Sequence, residues 1–122
     1  MDCTLCVLNC GANGTGNAAI ISLLGTARYS SDKSVLSSCL LNCGDSTQKI
    51  CGEQKIKLNK ISCIVLSSLA PHNVSGLPGM LLSLSSLGLA EVTIIGPSGV
   101  SSLLHLMTPF TNRRYDVSMS AC

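Results

Sequence analysis

Apolar positions along the chain fall into short runs divided by glycine- and serine-rich punctuation. Leu5 to Leu8 is the first run. It ends in Asn9 to Gly16, a stretch that reads as a tight turn and not as a phosphate loop, because neither G-x-G-x-x-G nor a following Gly-Lys-Ser/Thr is present. Ala18 to Leu24 and Val35 to Leu41 predict two more strands. Asp45 or Ser46 is placed to cap a short helix running through Ile50. Ile61 to Leu66 is nearly all apolar and β-branched at three positions, the pattern of a strand covered on both faces. Ser67 to Asn73 reads as a loop. Val74, Leu77, Leu81 and Leu84 are spaced for one face of a helix, which Met80 and Leu87 extend. Pro78 sits in its first turn and Gly88 just past its end. Val92 to Ile95 predicts another strand. Val100, Leu103, Leu104 and Met107 predict a second short helix that Pro109 terminates. Thr111 to Cys122 carries no clear pattern and is expected to fray.

Strands alternating with helices over short links predict an α/β fold, a mixed sheet with helices packed on a face. No internal repeat or long linker divides the chain, so residues 1–122 read as one domain or part of a larger one. The core has to come from Leu, Ile, Val, Ala and Cys, since there is no Trp, one Phe and two Tyr. Only 11% of residues are charged, against roughly a quarter in ordinary domains. Such a surface suits contact with another chain or domain, a second copy included. A net charge of +2 is not the basic surface of a nucleic-acid binder. Lys49, Lys55, Lys57 and Lys60, and the Arg113-Arg114 pair, read as solvated loop charges. The amino terminus has no basic run before its apolar stretch, and no stretch reaches the ~18 apolar residues of a membrane span. The expectation is a soluble intracellular protein, with nucleus, cytosol and mitochondrion all open.

Three segments carry a resemblance, in this order. Leu40-Leu41-Asn42-Cys43-Gly44-Asp45-Ser46-Thr47-Gln48 is similar to a strand and turn of the type F-[DN]-C-G-E-G-x-Q. Ile64 to Met80 contains Gly76-Leu77-Pro78-Gly79, like a strand, metal loop and G-L-P-G helix start. Val92 to Gly99 is similar to a strand and turn of the type Y-G-P-x-G. Together they resemble the tRNase Z branch of the metallo-β-lactamase fold. The resemblance implies an αββα-type architecture, of which this chain would be a partial, truncated half-domain.

Catalytic halves of that family carry H-x-H-x-D-H just before G-L-P-G and hold two zinc ions there. Counting back from Gly76, Ser68 and Ala70 stand at histidine positions, His72 at the aspartate and Asn73 at the last histidine. The chain has two histidines in all, His72 and His105, too few for a hydrolytic dizinc site. His105 reads as a partly buried side chain beside a helix. The resemblance thus implies no catalytic and no metal-binding residue in this chain, with zinc confined to the family's catalytic half. Gly44, Asp45, Gly76, Pro78, Gly79, Gly96 and Pro97 are expected to shape turns, with Asp45 capping a helix. The implied function is that of the zinc-ligand-lacking half of a ribonuclease Z-like protein, inactive alone. Its partner would be a catalytic half, in cis or in trans, with precursor tRNA contacted indirectly and no membrane involved.

The eight cysteines support a different expectation. Cys3-x-x-Cys6 has zinc-like spacing, and Cys10, Cys39 and Cys43 could add ligands, which would make a small cysteine-rich metal- or thiol-binding protein unrelated to RNA cleavage.

Overall fold

The computed structural model describes residues 2–10, 16–26, 33–89, 91–111 and 119–121. Strand β1 (Asp2–Cys10) pairs antiparallel with β2 (Asn17–Thr26), and β2 with β3 (Lys33–Leu41). Strands β4 (Ile61–Val65), β5 (Thr93–Gly96) and β6 (Met119–Ala121) follow in parallel, each beside its predecessor, so sheet order equals chain order. Every parallel step passes through helix. Helix α1 (Thr47–Glu53) and a 3-10 turn (Leu58–Lys60) join β3 to β4. Helices α2 (Pro71–Val74) and α3 (Leu77–Ser86) join β4 to β5, and α4 (Val100–Thr111) joins β5 to β6. Crossovers of one hand that always step to the same side deliver their helices to the same face of the sheet.

The pleat shows which face that is. Cys6, Ile20, Leu40, Ile64 and Ile94 are Cα partners across five strands. The last four are at most 2% exposed. Leu77, Met80, Leu81 and Leu84 of α3, Cys51 of α1 and Val100 of α4 close over them. Burying each of the large aliphatic side chains contributes about 1.5–3 kcal/mol. The next row, Leu5, Ile21, Cys39, Cys63 and Thr93, points the other way. There Leu5 is 62% exposed and the rest are half-buried. Val7, Ala19, Leu41, Val65 and Ile95 form a second row on this open face, with Val7 as exposed as Leu5. Among the described residues, helices cover one face of the strand read over Ile61 to Leu66 as covered on both, and the other face is half-buried.

Other local expectations shift. The helix face beginning at Val74 divides into α2 and α3, because the Gly76 N–H turns aside to donate to the Cys43 carbonyl at 2.9 Å. Helix α1 starts without a side-chain cap. Ser46 lies at φ 66, and the Thr47 hydroxyl reaches back to the Gly44 carbonyl at 2.7 Å, so the capping expected of Asp45 or Ser46 is not made. Pro109 does not end α4, which continues to Thr111. A proline in the last turn removes one N–H without blocking the residues after it. Gly88 behaves as read. At φ +78 it closes α3, with its own N–H on Ser85 O at 2.9 Å and that of Leu89 on Leu84 O at 3.2 Å, the paired bonds of a Schellman end. The expected turn at residues 11–15, and most of the patternless stretch at 111–122, lie outside the described residues.

The tightest contact in the fold is between three glycines. Gly16 precedes β2, Gly44 lies between β3 and α1, and Gly76 between α2 and α3. A methyl on Gly16 would lie 2.6 Å from both Asp45 N and His72 O, and one on Gly44 2.6 Å from the Gly16 carbonyl carbon. One on Gly76 would overlap the Gly44 carbonyl oxygen. All of these neighbours are backbone, which has little room to retreat.

Gly44→Ala is expected to destabilise by about 2–4 kcal/mol, read from a urea melt. Gly52→Ala in α1, where an added methyl meets nothing within 4 Å, should be neutral or stabilising by about 0.5–1 kcal/mol. A pH dependence follows from the core thiols. Burial pushes the Cys43 thiol up to about 12, with Cys51 alongside adding to it, and burial followed by Cys6 pushes Cys51 up to about 11. In the unfolded chain a thiol ionises near roughly 8.5. The stability held in the neutral buried thiols is thus complete below that pH and lost as pH rises toward 11–12. The urea midpoint should fall across that alkaline window, and fall less in Cys43→Ala.

Candidate functional site

The segment from Leu66 to Gly76 leaves the carboxyl end of β4, where open α/β sheets present their sites. The Leu66 N–H still bonds to Ile95 O at 2.7 Å. Beyond it the chain is held by side chains. Asn42, at φ 58 just after β3, accepts the Ser67 N–H at 2.9 Å and the Ser67 hydroxyl at 3.0 Å on Oδ1. Asparagine tolerates that left-handed backbone better than most residues. Pro71 then starts the single turn of α2 and places Asn73 inward, 4% exposed.

Asn73 is the centre of the site. Its Nδ2 donates to Ser68 Oγ at 2.7 Å and Ser67 Oγ at 3.3 Å. Its Oδ1 accepts from Asn17 Nδ2 at 3.1 Å. Its backbone carbonyl accepts the Cys43 N–H at 2.8 Å, and its N–H donates to Ala70 O at 2.9 Å. The Asn17 carbonyl takes the Gly44 N–H at 3.1 Å, which ties the cluster to the glycine contact. Both ends of a buried amide are satisfied, as a low-dielectric setting demands.

Of the four degenerate ligand positions, the structure joins two. Ser68 and Asn73 share a hydrogen bond, and Ser68 Oγ also accepts the Ala70 N–H at 3.4 Å. Ala70 offers only a methyl group. The His72 side chain is exposed and outside the cluster. His105, expected to be partly buried, is exposed on α4. These residues do not fit a zinc pair. The donor set is neutral hydroxyl and amide, already bonded to itself, and no convergent group of three His, Cys, Asp or Glu exists among the described residues. Among the described residues, the hydrogen-bond partners of Ser67 and Ser68 are Asn42, Asn73 and the Ala70 N–H, none of them a general base. Asp45 is exposed, and its backbone carbonyl accepts Asn9 Nδ2 at 3.2 Å.

The turn residues lie near one another. Gly79 in α3 faces Gln48 Oε1 of α1, and the Gln48 amide hydrogen-bonds the Ser83 hydroxyl of α3. Gly96, at the end of β5 before Pro97, leaves room for Val100 and Leu66. Asn17, Asn42 and Ser67 were not singled out in the sequence. Their signal was a polar residue at either end of an apolar run, within two residues of a glycine or serine.

The cysteines offered as a metal set are separated. Cys3 and Cys39 belong to the open face of the sheet, Cys6 to the helix-covered face, Cys43 to the core, and Cys10 is exposed at the end of β1. Ligands on both faces of one sheet cannot converge on a single ion. Among the described residues, no helix is long and apolar enough to cross a membrane.

No family model matches the chain. It is 37% identical over 112 residues to the mitochondrial tRNase Z TRZ3 of Arabidopsis thaliana, a match covering 83% of this chain and 12% of that protein. It is 32% identical over 122 residues to the mitochondrial ribonuclease Z of Drosophila melanogaster, covering 95% of this chain and 14% of that one. The chain thus spans about an eighth of the length of the curated relatives it matches. Among solved structures, the short form of human tRNase Z superposes with a TM-score of 0.71 at 20% identity, covering 96% of this chain and 44% of that chain. The metallo-β-lactamase fold protein YhfI of Bacillus subtilis gives 0.64 at 12% identity, covering 98% and 44%. Sequence relatives and fold agree, and the chain belongs to the tRNase Z family, with the metallo-β-lactamase fold.

Proposed function

We propose that this chain is a non-catalytic half-domain of a ribonuclease Z-like protein, one that supports removal of the 3′ trailer from precursor tRNA by a separate catalytic half. The observation that carries this reading is the loop before α3. Where the family's cutting halves offer imidazoles and a carboxylate, this loop presents Ser68, Ala70, an exposed His72 and an amide whose hydrogen bonds are spent on its neighbours. A metal-activated water needs several anionic or imidazole ligands in one cleft, and none converge there.

The open apolar face supports the second part of the reading. Leu5, Ile21, Val7, Leu41, Val65 and Ile95 form a continuous surface on the side of the sheet away from the described helices. A face of that kind favours a partner layer over water. The catalytic half, joined in cis or acting in trans, is the partner proposed here. Zinc would then be that half's cofactor, and precursor tRNA would reach this chain only through the assembly.

The purified chain, supplied with zinc and precursor tRNA, is expected to release no trailer, and to raise turnover when a catalytic half of the family is added. Zinc-dependent scission by the chain alone would overturn the proposal. Asn73→Ala should lower stability by about 1–3 kcal/mol, since it strands Asn17 and two serines. It should leave bound zinc, measured by elemental analysis, unchanged. A loss of stoichiometric zinc in that variant would show that the amide stands at a working metal site.

A further inference from the structure

Two cysteines take no part in the site just described, yet the sheet brings them together. Cys39 of β3 and Cys63 of β4 are Cα partners in parallel strands and point out of the same, open face. Neighbouring strands lie about 4.8 Å apart, inside the roughly 4.4–6.8 Å that a disulfide spans between Cα atoms. Each thiol sits beside the other, and Cys63 adds to the burial that raises the Cys39 thiol. Both are half-buried in the chain by itself, so a small reagent can reach them from solvent whenever no partner covers this face. The β3–β4 ladder is irregular between Ser38 and Cys39, and such a shift loosens the strand where closing the bond requires movement.

We propose that Cys39 and Cys63 are a cross-strand dithiol that closes to a disulfide by exchange with low-molecular-weight disulfides. The chemistry balances with glutathione disulfide as oxidant. One thiol of the pair loses its proton to solvent and its sulfur attacks a glutathione sulfur. The first glutathione thiolate leaves and is protonated. The second protein thiol then loses its proton and attacks the protein sulfur of the mixed disulfide, expelling the second glutathione. Two protein thiols become one S–S bond, and one glutathione disulfide becomes two thiols.

Environment sets the pace of this reaction. Burial, with Cys63 alongside, lifts the Cys39 thiol to about 11. Little Cys39 thiolate exists near neutral pH, which slows the step in which this sulfur attacks. The other thiols do not compete for this pairing. Among the described residues, Cys43 and Cys51 are sealed in the core, Cys6 lies on the opposite, helix-covered face, and Cys3 and Cys10 are exposed on the edge strand β1.

The test uses the full chain with Cys3→Ser, Cys10→Ser and Cys122→Ser, incubated with excess glutathione disulfide. The expected product is lighter by two hydrogens, links tryptic peptides 34–49 and 61–113 through a bond that fragmentation places between Cys39 and Cys63 and not Cys43, and melts at least about 5 °C higher, because the bond constrains the unfolded chain. Adding Cys63→Ser should stop the reaction at a glutathione adduct on Cys39. A stable glutathione adduct on the intact pair, linkage of either cysteine to Cys6, Cys43 or Cys51, or Cys39 and Cys63 both still alkylated after prolonged incubation and unfolding would each overturn the proposal.

Discussion

The fold turns on a place where three chain segments touch without side chains. Gly16, Gly44 and Gly76 bring the start of β2, the exit from β3 and the start of α3 into backbone contact. Hydrogen bonds from Gly44 to Asn17, from Cys43 to Asn73 and from Gly76 to Cys43 lock that contact. Any side chain there would push the antiparallel half of the sheet away from its helical layer. The glycines are thus needed for close approach, and none of the three has a positive φ that would call for glycine by itself.

The cluster around Asn73 rests on that contact. With the three backbones fixed, the end of β4 faces the ends of β2 and β3 across a short gap, and whatever fills it must be polar at both ends. Three asparagines and two serines do so without a net charge. A neutral set suits a buried location, since ionised groups there would require counter-ions or a metal. One fold can frame quite different side-chain sets at the same place, since what a site does depends on its side chains and not on the frame.

Much of this was legible in the sequence, and the reasons for the rest are physical. Periodicity placed β2, β3, β4, β5, α3 and α4, because each buries a regular apolar row or stripe. It shortened β1 to Leu5–Leu8, since a strand ladder is made of backbone and does not need apolar ends such as those Asp2 and Cys10 lack. It ran α2 into α3, since spacing alone cannot show that Gly76 donates its N–H elsewhere. It stopped α4 at Pro109, where the helix in fact continues. The degenerate ligand positions followed from counting back from Gly76. Their connection to Asn17 and Asn42 did not, because those partners are 56 and 25 residues away from Asn73 and Ser67. The open side of the sheet was hidden for a similar reason: an apolar run reads alike whether one layer or two cover it.

That sheet order equals chain order has a kinetic consequence. Each strand, as it is synthesised, finds its neighbour already in place, so the sheet can grow from the β1–β2 hairpin outward without threading or rearrangement. The antiparallel half requires only short loop closures and can form early, whereas each later strand must wait for its intervening helix to dock. Throughout that growth the leading edge carries unpaired N–H and C=O groups. A nascent chain paused on the ribosome after β4 or β5 would therefore expose a sticky edge and depend on the next strand, or on a chaperone, to cover it.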